Sequence, residues 1–81
     1  MKVKVLLFAS LREAVGASQS ALEIERGASV GDVWAGMASL HPRLLPHTGT
    51  AAFAINGTYA KPDEQVNEGD EIAFLPPVSG G

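Results

Sequence analysis

The sequence predicts an α+β domain in which one helix packs on one face of a mixed sheet. Three observations point there. Residues 2–9 are dense in β-branched and aliphatic side chains that alternate between two faces. Val30, Val33, Trp34, Met37 and Leu40 recur at the i, i+3, i+4, i+7 spacing of a buried helical stripe. Asn56-Gly57, set between two short apolar runs, is a strong two-residue hairpin signal.

In chain order, the first strand puts Val3, Val5 and Leu7 on one face and Lys2, Lys4, Leu6 and Phe8 on the other. Residues 10–15 read as a single helical turn stopped by Gly16. Residues 21–25 alternate as a half-buried strand with Leu22 and Ile24 inward, antiparallel to the first. Ser29 is placed to cap the main helix, and Asp32 suits its positive start. His41-Pro42 ends that helix, because a residue before proline avoids the helical region. Residues 41–50 read as an irregular connection. Residues 51–55 form a strand, residues 58–60 return from the Asn56-Gly57 turn, and residues 71–75 make the last strand. Val66 lies in a polar stretch with no clear periodicity. The domain spans residues 1–75, and residues 76–81 form a flexible tail that two prolines bias toward an extended conformation.

Composition narrows the function. Eighty-one residues allow one small domain, too thin for a deep catalytic cleft. Absence of cysteine removes disulfides, thiolate metal sites and cysteine nucleophiles. A net charge of -3 argues against nucleic acid as a partner. No apolar run approaches a membrane span, and the one after Lys2 and Lys4 is too short for a secretory signal, so a cytoplasmic protein is expected. Gly31 and Gly36 have P-loop spacing, but Met37-Ala38 replaces the Lys-Ser/Thr that would hold phosphate and magnesium. They read as helix glycines that allow close packing on the sheet. His41 and His47 stand in a loop without a nearby carboxylate. Asp63, Glu64, Glu68, Asp70 and Glu71 lack calcium-loop spacing and read as a solvated face. Asn56-Gly57-Thr58 matches a glycosylation acceptor, but its turn role comes first. No metal is expected.

Two features carry a functional reading. Two terminal glycines arise by chance in roughly 0.5% of chains at the usual glycine frequency. Without side chains, Gly80 and Gly81 can thread a narrow channel, and Pro76-Pro77 would hold them clear of the body. The Gly81 carboxylate is then open to activation with ATP by another enzyme. The second feature is apolar. With Val3, Val5, Leu7, Ile72 and Phe74 inward, Leu6, Phe8 and Leu75 point out. If the first and last strands are neighbours, they make a partner-binding patch beside the root of the tail.

Residues 7–16, Leu-Phe-Ala-Ser-Leu-Arg-Glu-Ala-Val-Gly, and residues 69–81, ending Pro-Pro-Val-Ser-Gly-Gly, closely resemble the small subunit of molybdopterin synthase. Residues 41–50 are the least family-like. The resemblance implies a β-grasp, ubiquitin-like fold acting as a sulfur carrier. It implies that Gly81 is adenylated, becomes a thiocarboxylate and donates sulfur to cyclic pyranopterin monophosphate (precursor Z), forming the molybdopterin dithiolene. Gly80 gives the slim approach. Phe8, Arg12, Leu75 and Pro76 would dock on partners, with Val78 and Ser79 lining the channel entrance. The expected partners are a large subunit, which holds the active site, in a heterotetramer, and an adenylating enzyme that uses the ATP. The chain itself binds no cofactor and is a non-catalytic subunit of a transferase. Alternatives are a carrier for thiamine thiazole or another acceptor, a ubiquitin-like protein modifier, and an inert interaction domain.

Overall fold

The computed structural model describes residues 1–77. Val78, Ser79, Gly80 and Gly81, which carry the expectations for the terminus, lie outside the described residues. The chain runs β1 (Lys2–Leu7), α1 (Ala9–Val15), β2 (Gln19–Glu23), α2 (Val30–Leu40), a 3₁₀ helix (Pro42–His47), β3 (Ala52–Ile55), β4 (Thr58–Ala60) and β5 (Glu71–Leu75). The five strands form one sheet in the order β2-β1-β5-β3-β4. The β1–β5 pair is parallel, and the other three are antiparallel. This is the mixed sheet with one main helix that the sequence predicts.

Alternation decides which face is buried. Val3, Val5, Leu7, Ile72 and Phe74 point toward α2 and are buried, whereas Lys2 and Lys4 are exposed on the other side. Helix α2 starts at a capping box. The Asp32 amide donates to the Ser29 hydroxyl oxygen at 3.2 Å, and the Ser29 amide donates to the Asp32 carboxylate at 2.9 Å. Its buried stripe is Val30, Val33, Trp34, Met37 and Ala38. Trp34 closes on Phe74 and Phe53, with ring centroids 5.0 and 5.8 Å away, and Phe53 meets Phe74 edge-to-face at 5.5 Å. Such aromatic pairs add to what area burial alone supplies.

Three expectations need correction. Leu40 is 63% exposed rather than part of the stripe. At about 100° per residue it falls within about 20° of fully buried Val33, so its place as the last residue of α2 rather than its face exposes it, while Ala38, about 40° from Trp34, is buried. Residues 10–15 belong to a seven-residue helix rather than one turn, anchored by Leu11, which is fully buried. Its end at Gly16, with φ +86°, is as expected. Residues 41–50 are not irregular throughout, since Pro42–His47 form a 3₁₀ helix followed by a turn. Pro42 is tolerated where a helix begins, and the 3₁₀ turn it opens drives Leu44 into the core between α1 and α2.

The remaining connections are pinned by backbone. Val66, at 1% exposure, plugs the core beneath the 61–70 segment, and its amide donates to the Ala28 carbonyl at 2.9 Å. Asn56 and Gly57 both have positive φ, +49° and +86°, as a tight hairpin turn requires. The Asn56 side chain then accepts from the Glu71 amide at 2.9 Å and donates to Asp70 at 3.0 Å, tying this turn to the start of β5. No helix among the described residues is long and apolar enough to cross a membrane.

Candidate functional site

The sheet face away from α2 carries the candidate site, and strand register builds it. Leu6 of β1 stands opposite Ala73 of β5, Ala73 opposite Ala54 of β3, and Ala54 opposite Tyr59 of β4. This row crosses four strands. Its two middle members are alanines, so the floor is low while Leu6 and Tyr59 rise at the sides. The result is a groove of about 300 Å³. Phe8 and Leu75 close one end of it, and Gly57 and Glu71 stand toward the other.

The neighbouring of β1 and β5 meets the condition on which the apolar patch depended. Leu6, Phe8 and Leu75 do line one groove, with Phe8 44% exposed. Ala9 takes φ +49° immediately after Phe8, a conformation unusual for a residue with a side chain. It turns the chain out of β1 into α1 and leaves Phe8 at the rim. Pro76 is half-buried and Pro77 exposed, directly beyond β5. Arg12 is exposed on α1, one turn beyond Phe8, and makes no ion pair among the described residues. It does not line the groove.

Sequence reasoning missed Tyr59, which is 72% exposed and forms a whole wall. A signal existed. A two-residue Asn56-Gly57 turn pairs Ile55 with Thr58 and therefore Ala54 with Tyr59. Alternation puts Ala73 on the outer face with Leu75, but the role of Ala73 and Ala54 as a floor shows only once their larger neighbours are placed.

Among the described residues the groove lining holds two ionisable groups, Glu71 and the Tyr59 phenol. Glu71 lies 3.9 Å from Lys4 in a half-exposed ion pair. Among the described residues no three His, Asp or Glu side chains gather to hold a metal ion. His41 and His47 sit at the ends of the 3₁₀ helix, on other elements than the groove.

The sequence model of the ThiS family matches residues 5–81. The chain belongs to the ThiS family. A relative from Chlamydomonas reinhardtii, named molybdopterin synthase sulfur carrier subunit, is 40% identical over 83 residues, covering all of both chains. Small archaeal modifier protein 1 of Haloferax volcanii is 35% identical over 83 residues, covering 93% of this chain and 95% of that one. The crystal structure of SAMP1 from the same organism superposes with a TM-score of 0.89 at 30% identity over the whole of both chains. The ThiS-family chain thus has the β-grasp, ubiquitin-like fold that its two ends imply. The groove lies beside β5, where the chain leaves the sheet at Pro76.

Proposed function

We propose that this ThiS-family chain is a sulfur carrier, the small subunit of a molybdopterin synthase. The observation that carries the reading is the end-to-end match to the Chlamydomonas reinhardtii sulfur carrier subunit, at 40% identity with no part of either chain left over. An apolar groove at the exit of β5 supports it, because a carrier must be gripped beside the group it delivers.

The chemistry is as follows. A Gly81 carboxylate oxygen attacks the α-phosphorus of ATP on an activating enzyme, and pyrophosphate leaves. A persulfide sulfur then attacks the acyl carbon and expels AMP, and a thiol attacks the resulting acyl disulfide at the donor's sulfur, forming a disulfide with it and releasing the Gly81 thiocarboxylate. The large subunit brings that sulfur to cyclic pyranopterin monophosphate, and Gly81 returns to a carboxylate on hydrolysis. Phe8, Leu75 and Pro76 grip the partner, Arg12 adds a charged contact from α1 outside the groove, Val78 and Ser79 line the channel entrance, and Gly80 gives the slim approach. The chain works in the cytoplasm within a heterotetramer, holds no cofactor of its own, and leaves ATP to the activating enzyme.

The test is the intact mass after incubation with ATP, a sulfur source and an activating enzyme. Exchange of one oxygen for sulfur at Gly81 is expected, and its loss on deleting Gly81 should leave the thermal midpoint unchanged. No exchange, under conditions that load a control carrier, overturns the proposal. A second reading, conjugation to lysines, is favoured by the 35% identity to small archaeal modifier protein 1. Covalent ladders on denaturing gels would support it over the carrier.

A further inference from the structure

Behind the sheet lies a second groove, of about 430 Å³, between the C-terminal half of α2 and the 3₁₀ helix. Pro42, Leu45 and Thr48 recur every third residue, the repeat of a 3₁₀ helix, and make one wall. Ala35 and Ala38 of α2 make the other, low wall. Trp34 lies between them, its indole N–H donating to the Thr48 hydroxyl at 3.1 Å. Leu45 is 57% exposed, although its neighbour Leu44 already fills the core. Among the described residues Leu45 takes no part in the core cluster.

Charge says what fits. All nine acidic residues fall at positions 13–32 or 63–71. Residues 33–62 contain none, yet they hold Arg43, Lys61 and both histidines. In a chain of net charge -3 this is the longer of two long stretches with basic groups alone, the other being residues 1–12 with Lys2, Lys4 and Arg12. Arg43, exposed two residues before Leu45, stands on the same 3₁₀ helix beside the groove, whose own lining among the described residues holds no charged side chain, whereas His47 shares the face of buried Leu44. Helix α1, packed against that wall, adds Arg12 and Glu13, which offset each other. A second copy of this chain is a poor occupant, because a twofold contact here would set the two Arg43 stretches against each other.

We propose that the groove between α2 and the 3₁₀ helix docks an amphipathic helix of a partner protein whose polar face is acidic. One apolar side chain of that helix enters between Leu45 and Trp34, and its carboxylates face Arg43. Trp34 packs on Phe53 and Phe74, which point to the opposite side of the sheet from the Leu6–Tyr59 row. The two grooves can therefore be occupied together, and the chain can be held from behind while the sheet groove stays open.

Trp34 is the sole tryptophan, so its emission reports on this groove. The probe is a synthetic helix of about four turns with leucines at i, i+3, i+4 and i+7 and glutamates elsewhere, compared with its lysine counterpart. The glutamate helix should shift Trp34 emission saturably and bind at least about tenfold more tightly than the lysine helix at low salt, the gap narrowing as salt rises. Leu45→Asp should weaken it at least about tenfold with an unchanged melting midpoint, and Arg43→Glu should invert the preference between the two helices. Leu45→Ser serves if the aspartate variant fails to fold. An unmoved Trp34 signal, equal binding of the two helices, or full binding by both Leu45 variants overturns the proposal. So does self-association that Leu45→Asp abolishes, which would assign the groove to a second copy.

Discussion

Ala73 stands directly opposite Leu6 across the parallel β1–β5 pair, on the face of the sheet that carries no helix. Its methyl group is what keeps the groove open, since Ala54 beside it is equally small. Ala73→Leu would raise the floor to the height of its walls. Ala73 is half-buried and faces away from α2, so the added atoms meet solvent rather than core. Titration against a large subunit or activating enzyme should show binding weakened about tenfold, or roughly 1.4 kcal/mol, with the thermal midpoint unchanged. A destabilised but fully binding variant would place the interface elsewhere.

Tyr59 is the aromatic wall of the same groove, 72% exposed and therefore nearly irrelevant to folding. Exposed tyrosines that become buried on association are frequent hot spots, worth about 2 kcal/mol or more on truncation. Tyr59→Ala should accordingly reduce partner affinity by about thirtyfold while chemical denaturation curves superpose on the parent. Leu75→Lys should act in the same direction from the far end of the groove. Binding that survives both changes would sink the docking role of this face.

What the sequence made legible was local. Alternation in β1, the Ser29–Asp32 cap and the Asn56-Gly57 turn each depend on neighbours a few residues apart, and each appears in the structure. Strand order does not work that way. Leu6 and Ala73 are distant in sequence, and only the folded core decides that β5 lies between β1 and β3. The Leu6, Phe8 and Leu75 patch was therefore conditional, and Tyr59 went unseen because the face of β4 depends on where β3 docks. Leu40 misled because a helical period does not reveal how far the sheet beneath the helix extends. The 3₁₀ helix was hidden by its two prolines, which read as loop residues although Pro42 opens the turn that buries Leu44.

Ala9 holds φ +49°, a conformation that costs a residue with a side chain about 1–2 kcal/mol relative to glycine. Ala9→Gly relieves that strain but also frees the unfolded chain, so a net gain under about 1 kcal/mol is expected from urea denaturation. Ala9→Val should cost at least as much as the alanine does, because β-branched residues tolerate positive φ worst. If the glycine variant is stabilised but binds partners less well, the strain serves to hold Phe8 at the rim. Equal binding would make it a by-product of the β1-to-α1 turn.

Gly31 and Gly36 lie in the same helix and should respond to alanine in opposite directions. At Gly36 a new Cβ would sit 3.1 Å from Leu22 Cδ2, the tip of a side chain on edge strand β2. That tip can retreat by a few tenths of an ångström, and alanine recovers about 1 kcal/mol of helix propensity. A net gain of about 0.5 kcal/mol is expected for Gly36→Ala. At Gly31 the Cβ would sit 3.2 Å from the Pro62 carbonyl oxygen, which also accepts the Gly31 amide at 2.8 Å. The 62–66 segment cannot withdraw without straining the bonds from the Val30 amide to the Glu64 carbonyl and from the Val66 amide to the Ala28 carbonyl, both 2.9 Å. Gly31→Ala should therefore lose about 1 kcal/mol, the typical worth of one such bond. Paired urea midpoints decide it. A loss at Gly36 as large as at Gly31 would mean that β2 is held as firmly as the backbone around Pro62, and that both glycines are required by close packing.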